Sequence, residues 1–217
     1  MPKLVLYHSP RACSRVTLNA LEEAGLEYDD HVINIMKGEQ KTPEYLSIHP
    51  GGKVPALVVD GRVLTENASI LMFLDRMAPA ARLLPKSDDP VESAGYYSDL
   101  IWCAGTVHPM VRQVRMPIRF TDGDPAGVRQ KGHDYLHGVM QQVDERVEAG
   151  KWWYGDEWSI VDVYLFWLTT TAVSAGFKID TYPHVQDLLD RVQDRPGFQR
   201  AIAREDAAAA AAGIKFR

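Results

Sequence analysis

The chain has 217 residues, of which 46% are hydrophobic and 24% charged, the make-up of an ordinary globular protein with enough apolar side chains for a sizeable core. Its 29 acidic residues outnumber its 24 basic ones, for a formal net charge of −5, so no bulk positive field draws it to a nucleic acid. No run approaches the ~20 apolar residues of a bilayer span, and the opening MPKLVLYHSPR lacks a basic segment followed by an apolar run and cleavage site; neither nucleic acid nor membrane is expected as a partner, and the expected address is the cytoplasm.

The first eighty residues alternate short apolar runs with helical spacing. Residues 3–7 read as a buried strand and residues 14–25 as a helix closing at Gly25, a residue type that tolerates the left-handed conformation past a last turn. Residues 28–35 form a second β-rich run and residues 42–46 a short helix or turn. Residues 56–59 and 62–65 flank Asp60-Gly61, a strong hairpin signal. After Glu66-Asn67, the residues Ile70, Phe73, Leu74 and Met77 recur at helical spacing until Pro79. The order is βαβ, hairpin, helix.

Residues 81–91 are rich in proline and charge and read as a linker. Beyond them no strand signal appears. Tyr97, Ile101, Ala104 and His108 share one helical face, which Pro109 should bend or break. Arg112, Arg115 and Arg119 continue at spacings of three and four, a solvated stripe or an attractor of anions. Asp124-Pro125 opens a helix through Leu136, Met140, Val143 and Val147 to Gly150. Ser159-x-x-Asp162 resembles a capping box, and the following VYLFWL, apolar nearly all round, suits the centre of a bundle. Val185, Leu188, Leu189 and Val192 form a last amphipathic stripe. Arg195-Pro196-Gly197-Phe198 starts one more short helix, and the alanines of 207–212 are helical or frayed. Residues 1–80 and 92–217 are the expected domains. The two cysteines, Cys13 and Cys103, are too few and too far apart for a disulfide framework or a zinc knuckle, so any chemistry they perform is that of single thiols.

The unit βαβ-ββα with Val54-Pro55 before its hairpin, joined to an all-helical domain, resembles the cytosolic glutathione transferase family over essentially the whole chain. The residues that carry the resemblance are Gly52-Lys53-Val54-Pro55-Ala56-Leu57, Leu64-Thr65-Glu66-Asn67-Ala68-Ser69-Ile70, Trp158-Ser159-Ile160-Val161-Asp162 and Arg195-Pro196. Ala12-Cys13-Ser14, with Gly25 eleven residues on, is most similar to the bacterial beta class, in which that cysteine faces the glutathione sulfur. The resemblance implies an α/β thioredoxin-like N-terminal domain, an all-α C-terminal bundle, a homodimer, glutathione as co-substrate and no metal.

A proline there is cis in thioredoxin-like families, which exposes the backbone of the preceding residue. Val54 would then pair with the extended cysteinyl backbone of glutathione, as a strand added at the edge of a sheet. Glu66 and Asn67 begin the third helix, whose open N–H groups suit a γ-glutamyl carboxylate while the Glu66 carboxylate suits the ammonium. Lys53, with Lys37 and His49, is a candidate for the glycyl carboxylate. Cys13 starts the first helix, where partial positive charge favours a thiolate. Its thiol would either form a mixed disulfide with glutathione or donate a hydrogen bond to the bound thiolate. Ser14, Tyr7 and Ser9 compete for the activating role. By resemblance His108 faces the cleft between domains, towards Cys13.

The function this implies is a glutathione transferase that presents the thiolate to a hydrophobic electrophile. Lowering a thiol pKa from near 9 towards neutrality is worth roughly 3 kcal/mol in favour of the nucleophilic form. One alternative is a glutathione-dependent thiol-disulfide reductase, dehalogenase or ether-cleaving enzyme using Cys13. The other is a non-catalytic family member acting as a binding or regulatory scaffold.

Overall fold

The computed structural model describes residues 2–216. Its first strand, β1 (Leu4–His8), buries Leu4, Leu6 and His8 on one face. The following helix, α1 (Ser14–Glu23), crosses over to β2 (Asp29–Val32) and ends as expected at Gly25, whose φ is 61°. β1 and β2 pair in parallel, which requires such a helical crossover. The short helix α2 (Pro43–Ile48) has proline in its first turn, and the Thr42 hydroxyl accepts the Tyr45 N–H (3.4 Å). The hairpin pairs β3 (Ala56–Val59) with β4 (Arg62–Thr65), and its turn residues Asp60 and Gly61 have φ of 47° and 80°. Positive φ at both central residues matches the right-handed strand twist. The sheet order is β2-β1-β3-β4, with β3 antiparallel to both of its neighbours. Helix α3 (Asn67–Met77) follows and completes the thioredoxin-like arrangement.

A second unit is helical. It comprises α4 (Pro90–Trp102), α5 (His108–Arg115), α6 (Ala126–Glu148), α7 (Ile160–Val173) and α8 (Pro183–Gln193). Helix α7 has twelve of its residues buried, the central position its apolar sequence suggested. Its start is a true capping box. Asp162 accepts the Ser159 N–H at 2.8 Å while the Ser159 hydroxyl accepts the Val161 N–H at 3.2 Å. Asp162 also accepts the Trp153 N–H (2.7 Å), tying the preceding loop to the helix. The Pro109 break takes the form of a π-helical turn over Cys103–Val107 between α4 and α5. Proline lacks the N–H for an i→i−4 bond, and one extra residue in the turn absorbs the mismatch. The buried stripe consequently runs through Leu100, Cys103, Val107, Val111 and Val114, while Ile101 is exposed. Arg119 falls outside α5, in a separate 3-10 turn at Pro117–Arg119, so the three arginines do not form one helical stripe.

The last helix corrects the sequence-based boundary and length. Helix α9 (Pro196–Ala211) is sixteen residues long and carries most of the alanine run. Packing groups Met1–Leu83 with Asp194–Arg217, and Leu84–Gln193 forms the other unit. Gly197, Phe198, Ala201, Glu205 and Ala209 are the buried face of α9. That face packs on α1, with Arg195 bonded to Glu23 and Arg15 to Glu205. Small side chains allow the two helices to approach, and the ion pairs fix their register. Among the described residues no helix is long and apolar enough to cross a membrane.

Candidate functional site

Cys13 stands at the entry to α1 with helical backbone angles (φ −58°, ψ −21°) and is half-buried. Its thiol donates to the Val54 carbonyl at 3.3 Å, so the cysteine and the residue before the proline meet although 41 positions separate them. The Val54–Pro55 peptide is cis. Among the described residues the Val54 N–H has no hydrogen-bond partner, and proline has no N–H to offer. Val54 therefore presents one open donor and one carbonyl held only by a thiol, the two groups an extended peptide would pair with.

Ser14 does something other than expected. Its fully buried hydroxyl accepts the Ser9 N–H (3.0 Å) and donates to the Ser9 carbonyl (3.1 Å). With its hydrogen committed to a backbone acceptor, it is a staple for the β1–α1 loop and not a free donor for a sulfur anion. Asn67 is likewise committed. Its side-chain carbonyl accepts the Thr17 hydroxyl (2.7 Å) and its amide donates to the Cys13 carbonyl (2.9 Å). The Asn67 side chain thus braces the cysteine, and any anion at this helix start would meet backbone N–H groups. Tyr7 lies on the half-buried face of β1, stacked on His31 at 5.0 Å. Ser9 is buried.

Around the Val54 segment the charges are mixed. Glu66 precedes α3 with φ 66° and ψ 121°, and its side chain is exposed. A non-glycine residue in that region is strained, a feature concentrated at binding sites. Lys53, the residue before Val54, is exposed. The His49 imidazole is pushed down by burial; the Glu66 carboxylate opposes this and the Lys53 and Lys41 ammoniums add to it. Its Nδ1 accepts the Gly51 N–H (3.1 Å), which puts the proton of the neutral ring on Nε2. Both signs of charge thus act on the His49 imidazole, five residues before the half-buried Val54, an arrangement that suits a zwitterionic peptide.

The sequence missed Tyr45. It is buried and donates its hydroxyl to the Lys53 carbonyl (2.6 Å), holding the strand-like approach to Val54. Burial pushes its phenol well above the ordinary range, with Tyr7 and Cys13 adding to the rise, so it remains a neutral donor. A buried tyrosine eight residues upstream is a weak signal, because its partner is a backbone atom. Lys37 lies exposed in the turn after β2, its N–H bonded to Asn34. His108 belongs to the helical unit, where its ring meets Trp167 edge-on at 4.7 Å. The structure therefore brings together Cys13, Ser14, Lys53, Val54, Pro55, Glu66 and Asn67 in the first unit. An open hollow of about 460 Å³ in the helical unit, lined by Gln113, Phe120, Val128, Lys131 and Tyr135, contains none of them.

Known proteins resemble this chain over most of its length. A family model described as the glutathione S-transferase N-terminal domain matches residues 11–77, and one described as the glutathione S-transferase C-terminal domain matches residues 129–204. A Rattus norvegicus protein named maleylacetoacetate isomerase is 31% identical over 190 residues, covering 84% of this chain and 83% of its own. A Sulfitobacter glutathione transferase homologue solved with bound glutathione has a TM-score of 0.84 at 26% identity, covering 94% of this chain and 99% of its own. A bacterial beta class glutathione S-transferase from Sphingomonas chungbukensis has a TM-score of 0.80 at 27% identity, with 93% and 98% covered.

Proposed function

We propose that this chain, which belongs to the cytosolic glutathione transferase family, binds reduced glutathione along Val54 and delivers its thiolate to a hydrophobic electrophile. The observation that carries this is the junction at Val54, an unpaired N–H and a carbonyl held by the Cys13 thiol (3.3 Å). The cysteinyl backbone of glutathione would accept the Val54 N–H and donate to the Val54 carbonyl. Cys13 would then turn its hydrogen from that carbonyl to the incoming sulfur, exchanging one acceptor for another. Backbone N–H groups at the start of α3 would take the γ-glutamyl carboxylate and Glu66 the ammonium; Lys53, with Lys37 and His49, is assigned to the glycyl end. In the chemical step the sulfur forms a bond to carbon, the leaving group departs with the bonding pair, and the thiol proton goes to solvent. The Sulfitobacter homologue with bound glutathione supports the choice of ligand. The working form is proposed to be a cytoplasmic homodimer, which light scattering of the purified protein checks.

Titration calorimetry with millimolar reduced glutathione, followed by conjugation to 1-chloro-2,4-dinitrobenzene, tests the proposal. Binding heat and product formation are expected, and no heat would remove glutathione as ligand. Cys13→Ala separates conjugation from disulfide exchange, because only the latter needs a second sulfur. A second activity is suggested by the relatives named maleylacetoacetate isomerase. There the thiolate would add to a conjugated double bond and leave again after rotation. Substrate conversion with no net consumption of glutathione would identify it.

A further inference from the structure

Glu205 lies on α9, 192 positions beyond Cys13 in the chain, yet its carboxylate grips the residues two before and two after that cysteine. Oε1 accepts the Arg11 backbone N–H at 3.1 Å and the Arg15 Nε–H at 3.3 Å. Oε2 accepts the Arg15 Nε–H at 3.0 Å and pairs with its Nη2. Glu205 is only 1% exposed. A buried ion pair of this kind adds little net stability over packed apolar residues, so its main consequence is the geometry it imposes.

That geometry is unusual. Arg11 has φ 61°, a conformation that L side chains seldom adopt and that persists only when the surroundings enforce it. The enforcement comes from both sides. Ser14 ties down Ser9 through its hydroxyl, and Ala12 N–H bonds the Ser9 carbonyl at 3.1 Å. Glu205 holds the Arg11 amide from the opposite end of the chain. The Arg11 guanidinium also lies 3.8 Å over the Phe216 ring, so the end of the chain covers the same loop.

We propose that Glu205 is a positioning residue for Cys13. It fixes the left-handed turn at Arg11 and the first turn of α1, and through them the direction in which the thiol points and the N–H groups that favour a sulfur anion there. The inference rests on the proposed role of Cys13 at the glutathione sulfur, but its first readout needs no glutathione. The pair Glu205→Gln and Glu205→Asp separates reach from charge. Glutamine keeps an oxygen within reach of the Arg11 N–H and loses the charge, whereas aspartate keeps the charge beside Arg15 and withdraws it by one methylene.

The experiment measures Cys13 alkylation by iodoacetamide at neutral pH in the folded protein, where buried Cys103 does not report, together with KM and kcat for glutathione. Expected for E205D is about tenfold slower alkylation and about tenfold higher KM, the size that loss of one charge-assisted hydrogen bond gives, with kcat at saturating glutathione within about threefold. E205Q should stay within about twofold of wild type in alkylation and KM, even with a lowered melting temperature. Equal alkylation rates and KM values in all three proteins would overturn the proposal, as would a slow E205Q beside a normal E205D. Should wild type bind no glutathione, the functional proposal fails, and the alkylation contrast still decides the role of Glu205.

Discussion

Replacing Gly197 by alanine sets two effects of known size against each other. Gly197 is in the first turn of α9, where alanine is the better helix former by at most about 1 kcal/mol. A Cβ there would lie 2.3 Å from Glu23 Cδ, 2.6 Å from Oε1 and 2.7 Å from Cγ. That carboxylate forms a two-pronged bond with Arg195, at 2.8 Å to Nε and 2.9 Å to Nη2. The side chains are 10% and 25% exposed, so water replaces little of the pair. The methyl group fits only if the carboxylate swings aside, and the fork then opens. Such a bidentate pair in a partly buried setting contributes about 2 to 3 kcal/mol. Its loss outweighs the helix gain by about 1 to 2 kcal/mol, or about 2 to 8 °C in Tm for a chain of this size. Thermal and urea melts of Gly197→Ala, Glu23→Ala and the double variant check this. With Glu23 removed, the same alanine should stabilise by up to about 1 kcal/mol. The reasoning fails if Gly197→Ala is as stable as wild type while Glu23 is present, or if deleting Glu23 leaves the sign unchanged.

Three further outcomes are expected. The His8 imidazole (3.1 Å) first of all, and then Arg204, hold the Asp30 carboxyl down at about 2. A depressed folded pKa contributes stability above about pH 4 that is lost as pH falls through 2, so Asp30→Asn should flatten the acid limb of the urea midpoint between pH 4 and pH 2. Burial pushes Asp162 up to about 6 against the N–H groups that bond it. Here stability is full below about pH 4 and declines as pH rises through 6; a midpoint in Asp162→Asn that keeps the wild-type fall between pH 4 and pH 6 would refute that assignment. Burial also pushes the Cys103 thiol well up. Native protein should therefore take up one equivalent of a thiol reagent and a second only after denaturation, with rapid uptake of two equivalents contradicting the buried placement.

Elements fixed by local chemistry were legible in the sequence. The Asp60-Gly61 turn, the Gly25 helix end and the Ser159–Asp162 box each depend on a few neighbouring residues, and each stands where the sequence put it. What the sequence could not show depends on partners far along the chain. Asn67 has the right type and position to meet a ligand, but its side chain is bonded to Thr17 and Cys13, 50 and 54 residues away. Ser14 looks like a catalytic hydroxyl until its bonds to Ser9 are seen. The alanines of α9 carry no periodic signal of their own. Their assignment to the first unit follows from Arg195 and Glu205 finding Glu23 and Arg15, pairings separated by 172 and 190 residues.

The outer strands of the sheet carry a further consequence. An unpaired strand edge is a template on which another chain can polymerise. On the β2 side, Arg204 bonds the Asp30 carboxylate at 2.8 Å and the Tyr28 carbonyl at 2.9 Å, so a guanidinium occupies the backbone acceptor just before the strand that a foreign strand would use. β4 is four residues long and begins with the exposed Arg62. Charge and brevity guard the two margins, and the protein should tolerate crowding and high concentration without cross-β association for as long as α9 stays docked.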